Sequence, residues 1–233
     1  MKPGEFEFNG VSSLNYNMRI QHEPELTGPA GRWANYTVSA RHGTRYKRKS
    51  DKLDSTKLSL DCVFLDTGTW ATRDAILDWL DTNDYVSFIP YWDEAYEYRA
   101  VVIDPQTIAH TRKTVAASTV KLELELYPLK YLRTSLLAVP VASGDVIYNP
   151  SRVAAEPLIE LIAEGDTTLT VGGVEYSFKD LTGTTTIDSD LLECSGTMVG
   201  YLYPTIPEGQ STISFSSNVK LCQLTPRYCR KVG

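Results

Sequence analysis

The stretch Thr167-Thr168-Leu169-Thr170-Val171-Gly172-Gly173-Val174-Glu175-Tyr176-Ser177-Phe178 decides the fold class. Two runs rich in β-branched and aromatic residues flank Gly172-Gly173, a two-residue turn whose positive φ angles suit the right-handed twist of a hairpin. Alternation puts Leu169 with Val171, and Tyr176 with Phe178, toward a core. Outward from this hairpin, short strands and tight turns run from Asn149-Pro150 through Glu156-Pro157-Leu158-Ile159, Thr186-Ile187-Asp188-Ser189 and Tyr203-Pro204 to Pro226-Arg227-Tyr228. Ile213, Phe215 and Leu221 complete the expected core. The pattern is that of a β-sandwich.

The chain upstream is also mainly β. Glu5 to Phe8 alternates polar and apolar residues before an Asn9-Gly10 turn, Trp33 to Ala40 reads as a strand, and Leu58 to Leu65 puts Leu58, Leu60, Cys62 and Phe64 on one face. One helix is expected over Trp70 to Leu80, capped by Thr69, with Ile76, Leu77 and Leu80 at helical spacing. Strands resume over Tyr85 to Ile89, Tyr96 to Ile103 and Val115 to Tyr127. Within the last, Leu122, Leu124 and Leu126 face inward, and Pro128 should stop it because proline cannot donate to a ladder. The boundary falls near residue 135, giving a first domain over 1–135 and a second over 136–233.

At 233 residues and 42% hydrophobic composition the chain can bury two cores. No apolar run approaches the roughly 20 residues that cross a bilayer, and Met1-Lys2-Pro3-Gly4-Glu5-Phe6 lacks the apolar core of a signal peptide, so the expectation is synthesis in a cytoplasm without membrane insertion. Net charge is −6, with 16 basic and 18 acidic residues up to Lys130 and 7 and 11 beyond it. Two mildly acidic halves disfavour a phosphate-neutralising protein. Cys62, Cys194, Cys222 and Cys229 form no C-x-x-C pair and read as small buried hydrophobes, while His22, His42 and His110 stand far apart. No metal site or cofactor is expected.

No phosphate loop, nucleophile elbow or H-E-x-x-H helix occurs, and the reading is that the chain is not an enzyme, with no catalytic residues. Glu123 and Glu125 stand two apart on one strand face, the look of a solvated sheet rather than of an acid/base pair. The most charged stretch is Arg41-His42-Gly43-Thr44-Arg45-Tyr46-Lys47-Arg48-Lys49. With one interleaved aromatic in an acidic setting it reads as an exposed hairpin that guards a sheet edge or pairs with an acidic patch on a neighbouring subunit, ahead of a nucleic-acid site. Arg41, Arg45, Tyr46, Lys47, Arg48 and Lys49 are therefore the subunit-interface candidates. Pro90-Tyr91-Trp92 and Tyr96-Glu97-Tyr98 form an aromatic cluster that reads as core plus interface, with Tyr91 and Trp92 as candidates for stacking on a sugar.

These blocks, taken in order, resemble the distal tail proteins of long-tailed (siphovirus-type) bacteriophages. The carboxy-terminal likeness rests on the strand-and-turn blocks above, ending in Glu208-Gly209-Gln210-Ser211-Thr212-Ile213-Ser214-Phe215 and Thr225-Pro226-Arg227-Tyr228. The amino-terminal likeness rests on Phe6-Glu7-Phe8-Asn9-Gly10-Val11-Ser12-Ser13, Leu26-Thr27-Gly28-Pro29-Ala30-Gly31-Arg32, Asp78-Trp79-Leu80 and Val120 to Tyr131. The resemblance implies a first β-sandwich with a helix and a projecting hairpin that closes a homo-hexameric ring, and a second, galectin-like sandwich outside it. It implies a structural hub in the virion, assembled in the host cytoplasm. The hub joins the tail tube protein and the tape-measure protein above to the tail-associated tip protein below, with DNA passing through the lumen without specific binding. Receptor-binding proteins would hang from the outer domain. The second reading is a carbohydrate-binding, lectin-like module contributing to host attachment, although the turns between Thr167 and Phe215 leave no room for an inserted sugar-binding module.

Overall fold

Alternation places the first core. Leu58, Leu60, Cys62 and Phe64 are buried, as are Val120, Leu122, Leu124 and Leu126. The two runs are neighbours in an antiparallel ladder, with Leu60 opposite Leu122 and Cys62 opposite Val120. Burying each large apolar side chain of this kind contributes roughly 1.5–3 kcal/mol. The computed structural model describes residues 1–37, 39, 42–65, 70–104, 108–111 and 117–233. Arg41 and the expected cap Thr69 lie outside them.

The chain divides into two compact units, Met1–Lys130 with Lys231–Gly233, and Tyr131–Arg230. The first contains β1 (Phe6–Phe8), β2 (Val11–Ser12), β3 (Met18–Ile20), β4 (Gly31–Thr37), β5 (Thr44–Leu53), β6 (Thr56–Leu65), α1 (Trp70–Leu80), β7 (Val86–Pro90), β8 (Tyr96–Val102), β9 (Ile108–Thr111) and most of β10 (Ala117–Leu132). The main sheet has the order β2-β1-β7-β8-β10-β6-β3, with β9 also on β10. Asn9 and Gly10, both at positive φ, turn β1 into β2. Strands β4 and β5 stand outside this sheet as a separate pair.

Helix α1 has the expected span but a different buried stripe. Ile76, Trp79 and Leu80 face the core, whereas Leu77 is 38% exposed. Trp79 wins the inward position because it is three residues from Ile76 on the same face, and its indole donates to the Phe8 carbonyl at 3.0 Å. Its ring stacks on Tyr16 at 4.7 Å and on Phe6 at 5.8 Å.

Pro128 does not end its strand, which continues to Leu132. The pairing with β6 finishes at Leu126 opposite Thr56, so no donor is missed on that ladder. The Pro128 carbonyl instead accepts from Val232 at 3.0 Å, and Val232 is itself buried in the first core.

The second unit contains β11 (Val139–Pro140), β12 (Val146–Asn149), β13 (Leu158–Val171), β14 (Val174–Asp188), β15 (Glu193–Cys194), β16 (Thr197–Val199), β17 (Gly209–Phe215) and β18 (Val219–Thr225), and most of β19 (Cys229–Lys231). What reads as several short strands is one long hairpin, β13–β14, closed by Gly172 and Gly173 at φ +58° and +85°. Strand β13 changes neighbour along its length, pairing with β18 from Leu158 to Ala163 and with β17 from Leu169 to Val171. An irregularity at Gly165–Thr167 separates the halves. Leu169, Val171, Tyr176, Phe178 and Ile213 are buried as expected and Phe215 packs against them. Leu221 is exposed, and Cys222 and Leu224 take the core face instead. The cause is a shift in register, Ile162 facing Leu221 but Ala163 facing Val219, which leaves Lys220 as an extra residue and inverts the alternation.

Candidate interaction surfaces

The β4–β5 pair is a two-stranded ribbon with register Trp33 to Arg48, Ala34 to Lys47, Asn35 to Tyr46, Tyr36 to Arg45 and Thr37 to Thr44. Directly opposed residues share a face. One face therefore carries Tyr36, Arg45 and Lys47 and the other Trp33, Tyr46 and Arg48; past Arg48 the register shifts, so that Gly31 faces Leu53, and Lys49 lies in that irregular stretch. The candidates Arg45, Tyr46, Lys47, Arg48 and Lys49 are all exposed. Trp33 is 56% and Tyr46 68% exposed, far more than aromatic rings of a finished core. At the base, Arg32 pairs with Asp54 at 2.7 Å and the Asp54 amide donates to the Ala30 carbonyl. This fixes where the ribbon leaves the body while leaving its outer length uncovered by described residues.

Tyr91 and Trp92 sit in the turn after β7, half-buried and packed on the first core. Their rings meet edge to face at 5.2 Å, and Trp92 meets Phe88 the same way at 6.5 Å. Beside them Asp93 accepts from the Tyr98 hydroxyl at 2.6 Å and from Lys130 Nζ at 2.7 Å. Lys130 also lies 5.1 Å from the Tyr96 ring centre. Burial, reinforced by the bond to Asp93, pushes the Tyr98 hydroxyl well above its ordinary range and keeps it a donor. The network closes on itself and braces the turn.

Glu123 accepts from Lys121 at 2.8 Å and from Ser59 at 2.9 Å, and Glu125 from Ser55 at 2.6 Å and Tyr85 at 2.8 Å. Those hydrogen bonds hold both carboxyls below the ordinary range. A general acid needs the opposite shift. Cys62, Cys222 and Cys229 are buried and in no disulfide, and burial pushes Cys62 and Cys222 up to about 12, far from a reactive thiolate. Among the described residues no three His, Cys, Asp or Glu side chains gather as a metal site, and no helix is long and apolar enough to cross a membrane.

In the second unit the structure joins two blocks that the sequence presents separately. Arg227 donates to Asp188 through both guanidinium nitrogens, at 2.6 and 2.9 Å, and Asp188 also accepts from the amides of Asp190 and Leu191. Burial raises the Asp188 carboxyl, but Arg227 and the two amides outweigh it and hold it below the ordinary range. Complementary charge at turn positions was the available signal, but nothing in a 39-residue separation says that the two meet. The turn that this clamp anchors exposes Leu191 and Leu192, and the segment after β16 exposes Tyr201 and Leu202.

No family model matches the sequence, and no curated protein matches it. Solved structures do share the fold. The crystal structure of the SPP1 Dit protein, a paradigm of the hub adsorption apparatus in phages infecting Gram-positive bacteria, matches with a TM-score of 0.69 and 12% identity, over 94% of this chain and 96% of that one. The phage P2 baseplate in its activated conformation with Ca matches with a TM-score of 0.54 and 9% identity, over 94% and 96%. The phage p2 baseplate in its activated conformation with Sr matches at 0.56 and 9%, over 97% and 98%. The chain thus has the distal-tail-protein fold through both of its units.

Proposed function

We propose that this protein is a structural component of a bacteriophage tail tip, a hub rather than a catalyst. Six copies close into a ring that joins the tail tube and tape-measure end to the tail-associated tip protein and lets DNA through. The reading is carried by the fold likeness to phage hub and baseplate proteins across at least 94% of the chain. It is supported by the β4–β5 ribbon, whose aromatic and cationic side chains have no covering in a single copy among the described residues. Arg41, Arg45, Tyr46, Lys47, Arg48 and Lys49 belong to the ring contact in this reading, and the second unit is the platform for receptor-binding proteins. Closure by rotation requires a head-to-tail contact, in which different surfaces of each copy meet.

Negative-stain microscopy of the purified protein, alone and mixed with the tail tube and tip proteins, tests this directly. Six-fold rings are expected. Particles that stay monomeric in every mixture would overturn the hub reading. The lectin-like alternative ranks second, because the Tyr91 and Trp92 rings are engaged with each other and with the first core. Saturable glycan-array binding, abolished by Trp92→Ala, would promote it.

A further inference from the structure

We propose that the cationic face of the β4–β5 ribbon docks on helix α1 of a second copy of this chain, with Arg45, Lys47 and Lys49 meeting Asp74, Asp78 and Asp81. The inference rests on the ring reading and deepens it by naming both sides of one contact.

The ribbon is the starting point. An isolated two-stranded sheet is marginal in water, and this one has both faces exposed. Arg45 and Lys47 occupy successive positions of one face, Lys49 follows just past the last regular pair of the ribbon, Trp33 with Arg48, and none of the three has a hydrogen bond or ion pair among the described residues. Like charges this close along one strand disfavour the bare ribbon. A partner for this face must bring negative charge in a line, with an apolar contact for Tyr36, which is 46% exposed on the same face.

Helix α1 offers that line. Its buried residues Ile76, Trp79 and Leu80 cluster on one side, and the 100° step per residue puts Asp74 and Asp78 on the opposite side; Asp81, one residue past the helix, continues that line, its amide still donating to the Leu77 carbonyl at 3.0 Å. All three aspartates are exposed, and none has an ion pair among the described residues. Asp74 and Asp78 repel across one turn, and Asp78 and Asp81 sit at the negative end of the helix dipole, where the last turn has no basic residue. Partly exposed Leu77 flanks the ridge. The lengths agree: Arg45 to Lys49 spans at most about 14 Å at strand spacing, and Asp74 to Asp81 spans about 10 Å at helical rise. Long basic side chains cover the difference.

Each element is unfavourable alone and each complements the other. Because the ribbon of one copy meets the helix of the next, every copy keeps one donor and one acceptor surface free, and the contact repeats until it closes.

Charge reversal in the full chain tests the pairing, with mass photometry and sedimentation reading assembly and circular dichroism confirming the fold. Arg45→Glu with Lys47→Glu and Lys49→Glu should raise the concentration for half-assembly on the order of a hundredfold, since like charges then face each other. Asp74→Lys with Asp78→Lys and Asp81→Lys should do the same. An equimolar mixture of the two triple variants, and the chain carrying all six changes, should both assemble again. If the wild type assembles but either triple variant does so unchanged, or the six-fold variant fails to recover, this docking is overturned and the ring reading stands. If the wild type never assembles, even with the tail tube and tip proteins, both are overturned.

Discussion

In the β13–β14 hairpin the residues beside the turn, Leu169, Val171, Tyr176 and Phe178, are buried, and both strands have further strands as neighbours. In β4–β5 the strands pair, among the described residues, only with each other, and Trp33, Tyr36 and Tyr46 stand in the open. Both are antiparallel pairs with aromatic content, yet one is the centre of a core and the other carries none of its own. Aromatic surface left uncovered on a ribbon of this length has the character of an interaction surface, which the proposed ring contact would cover. The first hairpin should therefore answer to measurements of folding, and the second to measurements of assembly.

The largest expected effect follows from that split. Phe178→Ala removes a ring that is 1% exposed and should destabilise the protein by about 3–5 kcal/mol in urea titrations. Trp33→Ala, the larger truncation, should stay within about 0.5 kcal/mol of wild type because its ring is already half in water. Equal losses at the two sites would break the comparison.

The clamp at the end of β14 comes next. Asp188→Ala leaves Arg227 without its partner at a position where both side chains are less than 15% exposed, and should cost about 2–3 kcal/mol. The pH dependence has a fixed sign. The folded-state pKa of Asp188 lies below its ordinary value of 3.8, so the unfolded chain binds the proton more readily. Its contribution is fully present above about pH 5 and is lost as pH falls through the folded-state value. Asp188→Asn should flatten the acid limb of a stability-against-pH curve measured below about pH 4. A limb unchanged by this substitution would remove the clamp from the account.

The two turns give a finer comparison. Gly172 is at φ +58° and an added Cβ would come within 3.0 Å of Pro207 Cδ, whereas Gly43 is at φ +84° with open space around it. Gly172→Ala should cost about 1–2 kcal/mol through strain and crowding together, and Gly43→Ala about 1 kcal/mol through strain alone. Thermal melts of the two variants resolve the difference.

How far the sequence reaches can be traced residue by residue. Asn9-Gly10 and Gly172-Gly173 were legible as turns because the φ angles they need exclude most other residues, and Leu58 to Phe64 was legible because alternation over seven residues admits one buried face. The register of β18 was not, since the extra residue at Lys220 is set by how β18 meets β13 and leaves no local mark. The place of Trp79 in the buried stripe of α1 was not legible, because apolar character and spacing, which point to Leu77, are visible in a sequence, while the Phe8 carbonyl that receives the indole N–H is not. Among candidate site residues, the exposure of Arg45 to Lys49 followed from charge density, whereas the Asp188–Arg227 pair needed the fold to bring its halves together.

The smallest effect on stability is also the most discriminating. Arg45→Ala with Lys47→Ala and Lys49→Ala removes three exposed side chains that have no partner among the described residues, so no folded-state attraction is lost within one copy. Their mutual repulsion is lost too, which makes the expected shift slightly stabilising, within about 0.5 kcal/mol. Assembly should move the other way, weakening most at low salt, where the attraction that the wild type enjoys is least screened. Measured together, a melting temperature that holds or rises and a ring that dissociates would separate the ribbon from the core. A triple variant that unfolds would instead mean that these cations hold the ribbon to its own copy, and the division between the two hairpins would fail.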